Sequence, residues 1–124
     1  NTFWLWHHMR TSGMAELVMQ RVSDEGMLYI GCSAGAIVAG DSIETAYWKG
    51  MDDPAAAVGA GADWSKPSSM RAMGLARGVS FFPHMEIRWD ALVRERSREL
   101  RRDIDSELIT LEDVGFSFVK GVCQ

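Results

Sequence analysis

The stretch Gly31-Cys32-Ser33-Ala34-Gly35 constrains this chain more than any other. An apolar run from Met27 to Ile30 leads into it, and small residues from Ala36 to Ala39 follow. G-x-S-x-G between a strand and a helix is the nucleophile elbow, a tight turn that lifts one side chain above the edge of a sheet. Glycines two positions either side of the serine let the turn press against neighbouring backbone. The side chain presented in this way is Ser33, at a helix N-terminus whose free N–H groups stabilise a developing oxyanion. With 12 glycines in 124 residues, the bare pattern would arise by chance in roughly one such chain in ten, so the flanking strand and helix carry the argument. Cys32 is the rival nucleophile, but centring the turn on it puts Ile30 and Ala34 where glycines are needed.

A chain of this length makes at most one domain with a genuine core. Apolar residues make up 47% and charged residues 24%, the balance of a soluble globular protein. A net charge of −4 leaves no electrostatic footprint for nucleic acid or an anionic membrane. No apolar run approaches the ~20 residues that span a bilayer. Cys32 and Cys123 do not suggest a disulfide framework, so the expected compartment is a reducing cytoplasm. The opening Asn1-Thr2-Phe3, without an initiator Met, reads as a cut through a loop. The expectation is a single domain over 1–124 that lacks its N-terminal strands.

Phe3, Leu5, Trp6 and Met9 give a short amphipathic helix that breaks around Thr11-Ser12-Gly13. Met14, Leu17, Val18 and Val22 recur at helical spacing to about Ser23, with Gly26 as punctuation. Strand 27–30 and the elbow helix come next. From Asp41 to Met73 the sequence turns irregular, a length of loop that is usually functional or mobile. Residues 78–82 read as a strand ending at Pro83-His84. Residues 86–104 read as a charged helix with Ile87, Ala91, Leu92 and Leu100 facing inward. Strand 108–111 follows, and 115–119 offers a fourth. Helices alternating with short apolar strands predict a parallel α/β sheet with helices on both faces.

A serine nucleophile needs a general base, and the base an orienting acid. His7 and His8 are adjacent on a helix, pointing about 100° apart, and form no obvious site. His84 follows the strand 78–82 at its carboxyl end, the edge where ligands bind in open α/β sheets and where the elbow also sits. Its bland reading is a loop histidine before the next helix. Acids are more numerous: Glu112 and Asp113 follow the strand 108–111, Asp41, Asp52 and Asp53 lie between Ser33 and His84, and Asp90 lies on the charged helix. Spacing alone does not choose among them.

Several segments taken together resemble peptidase family S51, the aspartyl dipeptidase and cyanophycinase group. They are Asn1-Thr2-Phe3, Tyr29-Ile30-Gly31-Cys32-Ser33-Ala34-Gly35-Ala36, Met51-Asp52-Asp53-Pro54, Phe82-Pro83-His84 and Leu111-Glu112-Asp113. The Ser-Ala-Gly-Ala elbow and the Pro-His element are the specific parts. The resemblance implies a flavodoxin-like sheet related to class I glutamine amidotransferases, and a Ser-His-Glu triad in that chain order. Carried over, Ser33 is similar to the nucleophile and His84 to the base. The acid falls best on Asp113, with Glu112 the alternative. An Asp there departs from the family's Glu and shortens the arm by one methylene. The resemblance further implies the Ala34 N–H as an oxyanion donor, its companion being a glycine just before Asn1. Asp52 or Asp53 would lie near the substrate amine, and Arg88 or Arg94 would meet an aspartyl side chain. Either arginine reads equally well as a solvated helix charge.

The implied chemistry is acyl transfer without metal or cofactor, on a small peptide. Two rivals stand beside it. One is an α/β-hydrolase-type esterase with chain order Ser, Asp, His and an acid such as Asp41 or Asp53. The other is a relative that binds without turnover.

Overall fold

The computed structural model describes residues 1–57, 59, 61–115 and 117–119. Two helices open the chain, α1 (Thr2–Thr11) and α2 (Met14–Glu25). The Asn1 side chain accepts a hydrogen bond from the Trp4 N–H at 3.0 Å and caps α1. Gly13, at φ 77°, makes the break between the helices that a residue with a side chain would resist. The inner face of α1 buries Phe3 and Trp6, and α2 contributes Ala15. The Thr2 N–H and hydroxyl both donate to Asp52, which ties the start of α1 to the middle of the chain.

The elbow helix α3 (Ala34–Ile37) and the short α4 (Pro67–Met70) bracket a segment with two 3-10 turns, Glu44–Tyr47 and Pro54–Ala56. This irregular region is much of the core: Ile43, Thr45, Ala46, Ala57, Met70 and Met73 are all buried. Among the described residues the sheet has two strands, β1 (Val79–Phe82) and β2 (Glu107–Thr110). They pair in parallel, Val79 opposite Glu107 and Phe82 opposite Thr110. The crossover between them is α5 (Asp90–Ile104), preceded by a 3-10 turn at Ile87–Trp89. The chain is thus a small α/β protein with a parallel strand pair, as the alternation of elements predicts.

A second contact sets α3 against the sheet. A Cβ on Gly40 would stand 2.8 Å from the Val79 carbonyl oxygen and 3.1 Å from the Ser80 Cα. Gly40 is therefore the residue that lets the elbow helix close on β1. The buried Ser80 and Ser106 hydroxyls share one hydrogen bond at 3.0 Å.

Four expectations need correction. Residues 27–30 form no strand: Leu28 is 75% and Ile30 85% exposed, and no neighbouring strand takes up their backbone groups among the described residues. The long helix begins at Asp90, and the tighter turn before it rotates the register, so Ile87 is 91% exposed while Leu100 is buried. Ala91 is likewise exposed. The final strand starts one residue earlier than 108. In the range proposed for a fourth strand, Phe116 lies outside the described residues, and none of the described ones is in a strand.

Replacing Gly40 with Ala is expected to destabilise the fold by about 1–3 kcal/mol through overpacking. Urea unfolding of the variant measures this, and an unchanged midpoint would show that α3 does not depend on this close approach.

Candidate active site

The parallel register decides what meets beyond the ends of the strands. Phe82 opposite Thr110 puts residue 84 opposite residue 112. Two further bonds extend the ladder: the Leu111 N–H donates to the Phe82 carbonyl and the Met85 N–H to the Leu111 carbonyl, both at 2.9 Å. The chain then turns at Asp113, closed by the Gly115 N–H donating to the Glu112 carbonyl at 3.1 Å. This turn, one residue past the pairing position, delivers the Asp113 carboxylate to His84.

Ser33, His84 and Asp113 form one hydrogen-bonded line. His84 Nε2 lies 2.9 Å from Ser33 Oγ across 51 positions of sequence. His84 Nδ1 bonds Asp113 Oδ1. With its proton on Nδ1, facing the Asp113 carboxylate, the ring has Nε2 free to accept from the serine hydroxyl. The group is open to solvent, with the His84 side chain 41% and Asp113 71% exposed.

Backbone strain is concentrated on the same residues. Ser33 has φ 51° and ψ −120°, and His84 has φ 55°. A residue with a side chain held in such a region costs of order 1–3 kcal/mol and persists only where its surroundings over-determine it. At Ser33 the surroundings are specific. Ala36 and Ile37 N–H groups donate to the Ser33 carbonyl at 2.9 and 3.1 Å, and Gly35 donates to Cys32 at 2.8 Å. The Tyr29 hydroxyl, whose pKa is raised by burial, donates to the Gly35 carbonyl at 2.7 Å. Among the described residues the Ala34 N–H has no acceptor.

The two elbow glycines are not equivalent. A Cβ at Gly31 would collide with the Gly35 carbonyl oxygen at 2.6 Å and the Tyr29 ring at 2.8 Å. At Gly35 the nearest atom is the Tyr29 hydroxyl at 3.7 Å, ordinary contact distance. Only the first glycine is demanded by space.

The other residues singled out from sequence have their own partners. Asp52 accepts from Thr2, and Asp53 Oδ1 accepts from the Ala55 N–H at 2.8 Å. Arg88 pairs with Glu86 at 2.7 Å and lies over the Trp89 ring, and Arg94 pairs with Asp90 at 2.8 Å. None of these four forms a hydrogen bond or ion pair with Ser33, His84 or Asp113. Asp41 is bound by the Gly78 and Val79 backbone and by Ser106, its pKa raised because burial outweighs those bonds. Glu112 is exposed, and the His84 ring bonds its neighbour instead. His7 and His8 meet edge-on, ring centroids 5.0 Å apart. Sequence reasoning missed Tyr29 as a brace and Lys49, whose ammonium donates to the Pro83 and His84 carbonyls. Among the described residues no three His, Cys, Asp or Glu side chains cluster as metal ligands, and no helix is long and apolar enough to cross a membrane.

The family model of peptidase family S51 matches residues 1–115, and the chain belongs to that family. No curated protein and no solved structure gives a significant match.

The glycine asymmetry makes a paired prediction. Gly31→Ala is expected to lower stability by about 1–3 kcal/mol, whereas Gly35→Ala stays within about 1 kcal/mol of the parent. Chemical denaturation of the two variants checks this, and equal losses would remove the steric distinction.

Proposed function

We propose, starting from membership of peptidase family S51, that this protein is a serine exopeptidase acting on short peptides with an N-terminal aspartate. The observation that carries the reading is the unbroken line from Ser33 Oγ through the His84 ring to Asp113. His84 Nε2 takes the hydroxyl proton as Ser33 attacks the peptide carbonyl. The Ala34 N–H, without an acceptor among the described residues and directly after the nucleophile, meets the oxyanion that forms. Asp113 holds the imidazole in its tautomer and stabilises the imidazolium. His84 then returns the proton to the leaving amine, and water releases the acyl-enzyme by the same route. These steps call for no metal or cofactor.

What favours Asp113 over Glu112 as the acid is its bond to Nδ1. The shorter arm of an Asp is compensated by the turn that brings its backbone forward. For the substrate's aspartyl side chain, Arg88 and Arg94 are the two candidates, paired now with Glu86 and Asp90. Asp52 and Asp53 are the carboxylates for the substrate's free amine; each would share a bond it now makes within the chain. Against an esterase using Asp41 or Asp53 as acid stands the His84 ring itself, whose Nδ1 bonds Asp113 and neither of those two. Cytoplasmic peptide turnover is the setting this reading fits.

Ser33→Ala is expected to abolish hydrolysis of an Asp-X dipeptide with folding unchanged by circular dichroism. Asp113→Asn should reduce kcat by about 10⁴-fold, while Asp53→Asn leaves kcat within an order of magnitude. Turnover surviving in Ser33→Ala, or an Asp53 effect as large as that of Asp113, would overturn the assignment.

A further inference from the structure

We infer that Lys49 is a positioning residue for the catalytic imidazole: its ammonium holds the two backbone carbonyls on either side of the bend at His84. The kinetic part of this inference rests on the peptidase reading above; the geometric part does not.

Lys49 Nζ donates to the Pro83 carbonyl and, at 3.0 Å, to the His84 carbonyl. The same nitrogen lies 4.3 Å from the centroid of the Phe82 ring. Phe82 is fully buried, and its ring meets Trp48 at 5.6 Å. The Lys49 stem is anchored through the preceding turn, where the buried Thr45 hydroxyl donates to the Phe81 carbonyl at 2.7 Å. One short segment, 45–49, therefore grips the carboxyl end of β1 at three carbonyl positions: 81, 83 and 84.

This matters because of where the strain lies. His84 sits at φ 55°, a region that L residues occupy at a cost. Pro83 has no N–H, so its carbonyl is its sole backbone hydrogen-bonding group. Two adjacent carbonyls pulled toward one cation fix the peptide between residues 83 and 84, and with it the direction in which the ring leaves the chain. A lysine suits this position, since three donors on a compact ammonium serve acceptors at different angles and the stem covers apolar surface. Burial is the largest influence on this lysine and draws its pKa below the ordinary value. The carboxylates of Asp113, Glu86 and Asp52 oppose that and favour the ammonium, while the charge of Arg88 adds to the effect of burial. The side chain thus sits in the electrostatic neighbourhood of the triad without touching the reacting atoms.

The test uses the full chain carrying Lys49→Met, which keeps the apolar stem, and Lys49→Arg, which keeps the cation and its donors. With an aspartyl p-nitroanilide as substrate, Lys49→Met is expected to lower kcat at least about tenfold with KM within about twofold. Lys49→Arg should return kcat to within about threefold of the parent. A lysine that only stabilised the loop would leave kcat of the folded protein unchanged. An activity-independent arm follows the His84 Nδ1–H proton by NMR, expected to be resolved downfield in the parent, in Ser33→Ala and in Lys49→Arg, and lost in Lys49→Met. Should the parent turn over no peptide, the peptidase reading falls and this resonance alone decides the role of Lys49. Should Lys49→Met fail to fold, Lys49→Gln replaces it, with the two N–H donors of a neutral amide in place of the ammonium and an intermediate loss expected. A parent-like resonance and kcat in whichever neutral variant folds would overturn the inference.

Discussion

Four residue pairs in one parallel ladder, running from Val79 with Glu107 to Phe82 with Thr110, determine where the chemistry-bearing side chains can stand. Parallel strands have the same polarity, so both chains leave the sheet at the same end. Whatever follows Phe82 must lie beside whatever follows Thr110. The two extra bonds through Leu111 carry this pairing past the strands proper, to within one residue of His84 and two of Asp113. Slipping the register by one residue would reverse which side chains face the core. Phe81 and Phe82, both buried by different neighbours, hold it against such a slip. Asp113 and His84 are thus neighbours because of backbone pairing, before any attraction between them is counted.

The serine arrives by another route. It stands on a turn, not a strand, and its position relative to β1 depends on how closely α3 can approach. Gly40 sets that distance by offering no Cβ to the Val79 carbonyl. The Asp41 N–H donates to the same carbonyl at 2.8 Å, locking the end of the elbow helix to the start of the strand. Among the described residues, three with side chains have positive φ: Ser33, His84 and Asp105. The last closes α5 in the left-handed conformation common at helix ends. The other two are the proposed nucleophile and base. Strain therefore falls where a side chain must be aimed, and the hydrogen bonds around each bend hold it there.

Much of this is legible in local pattern, and what is not legible depends on distant contacts. The limits of β1 follow from Val79 to Phe82 ending at a proline, and the helix break at Gly13 from a residue free to take positive φ. Ser33 stands out because G-x-S-x-G occupies five consecutive residues and a helix follows it, although the strand expected before it does not form. The choice between Glu112 and Asp113 is open in the sequence, since it turns on a single residue of chain reversal after Leu111. Residues 27–30 have the composition of a buried strand, yet strand formation needs a neighbour, and apolarity does not guarantee one. Ile87 leaves its expected inward face because one tighter turn before Asp90 rotates the helix. Lys49 carries no signal: a lysine in an irregular loop looks like any other until the fold brings it beneath Pro83 and His84. The elbow pattern names two glycines, but only Gly31 lacks room for a side chain.

The openness of the site bears on what can hold it together. An exposed carboxylate–imidazole pair contributes roughly 0–1 kcal/mol, since water competes for both partners and side-chain entropy opposes their ordering. Asp113, 71% exposed, cannot by attraction alone keep the ring in a single orientation. The ordering has to come from the backbone beneath: the ladder bonds through Leu111, the turn closed at Gly115, and the half-buried cation under Pro83 and His84. Elements formed by backbone hydrogen bonds and buried rings lose little when the site is wet. A side-chain constellation set on such a base can stay open to solvent and still present Nε2 to the serine at hydrogen-bond distance.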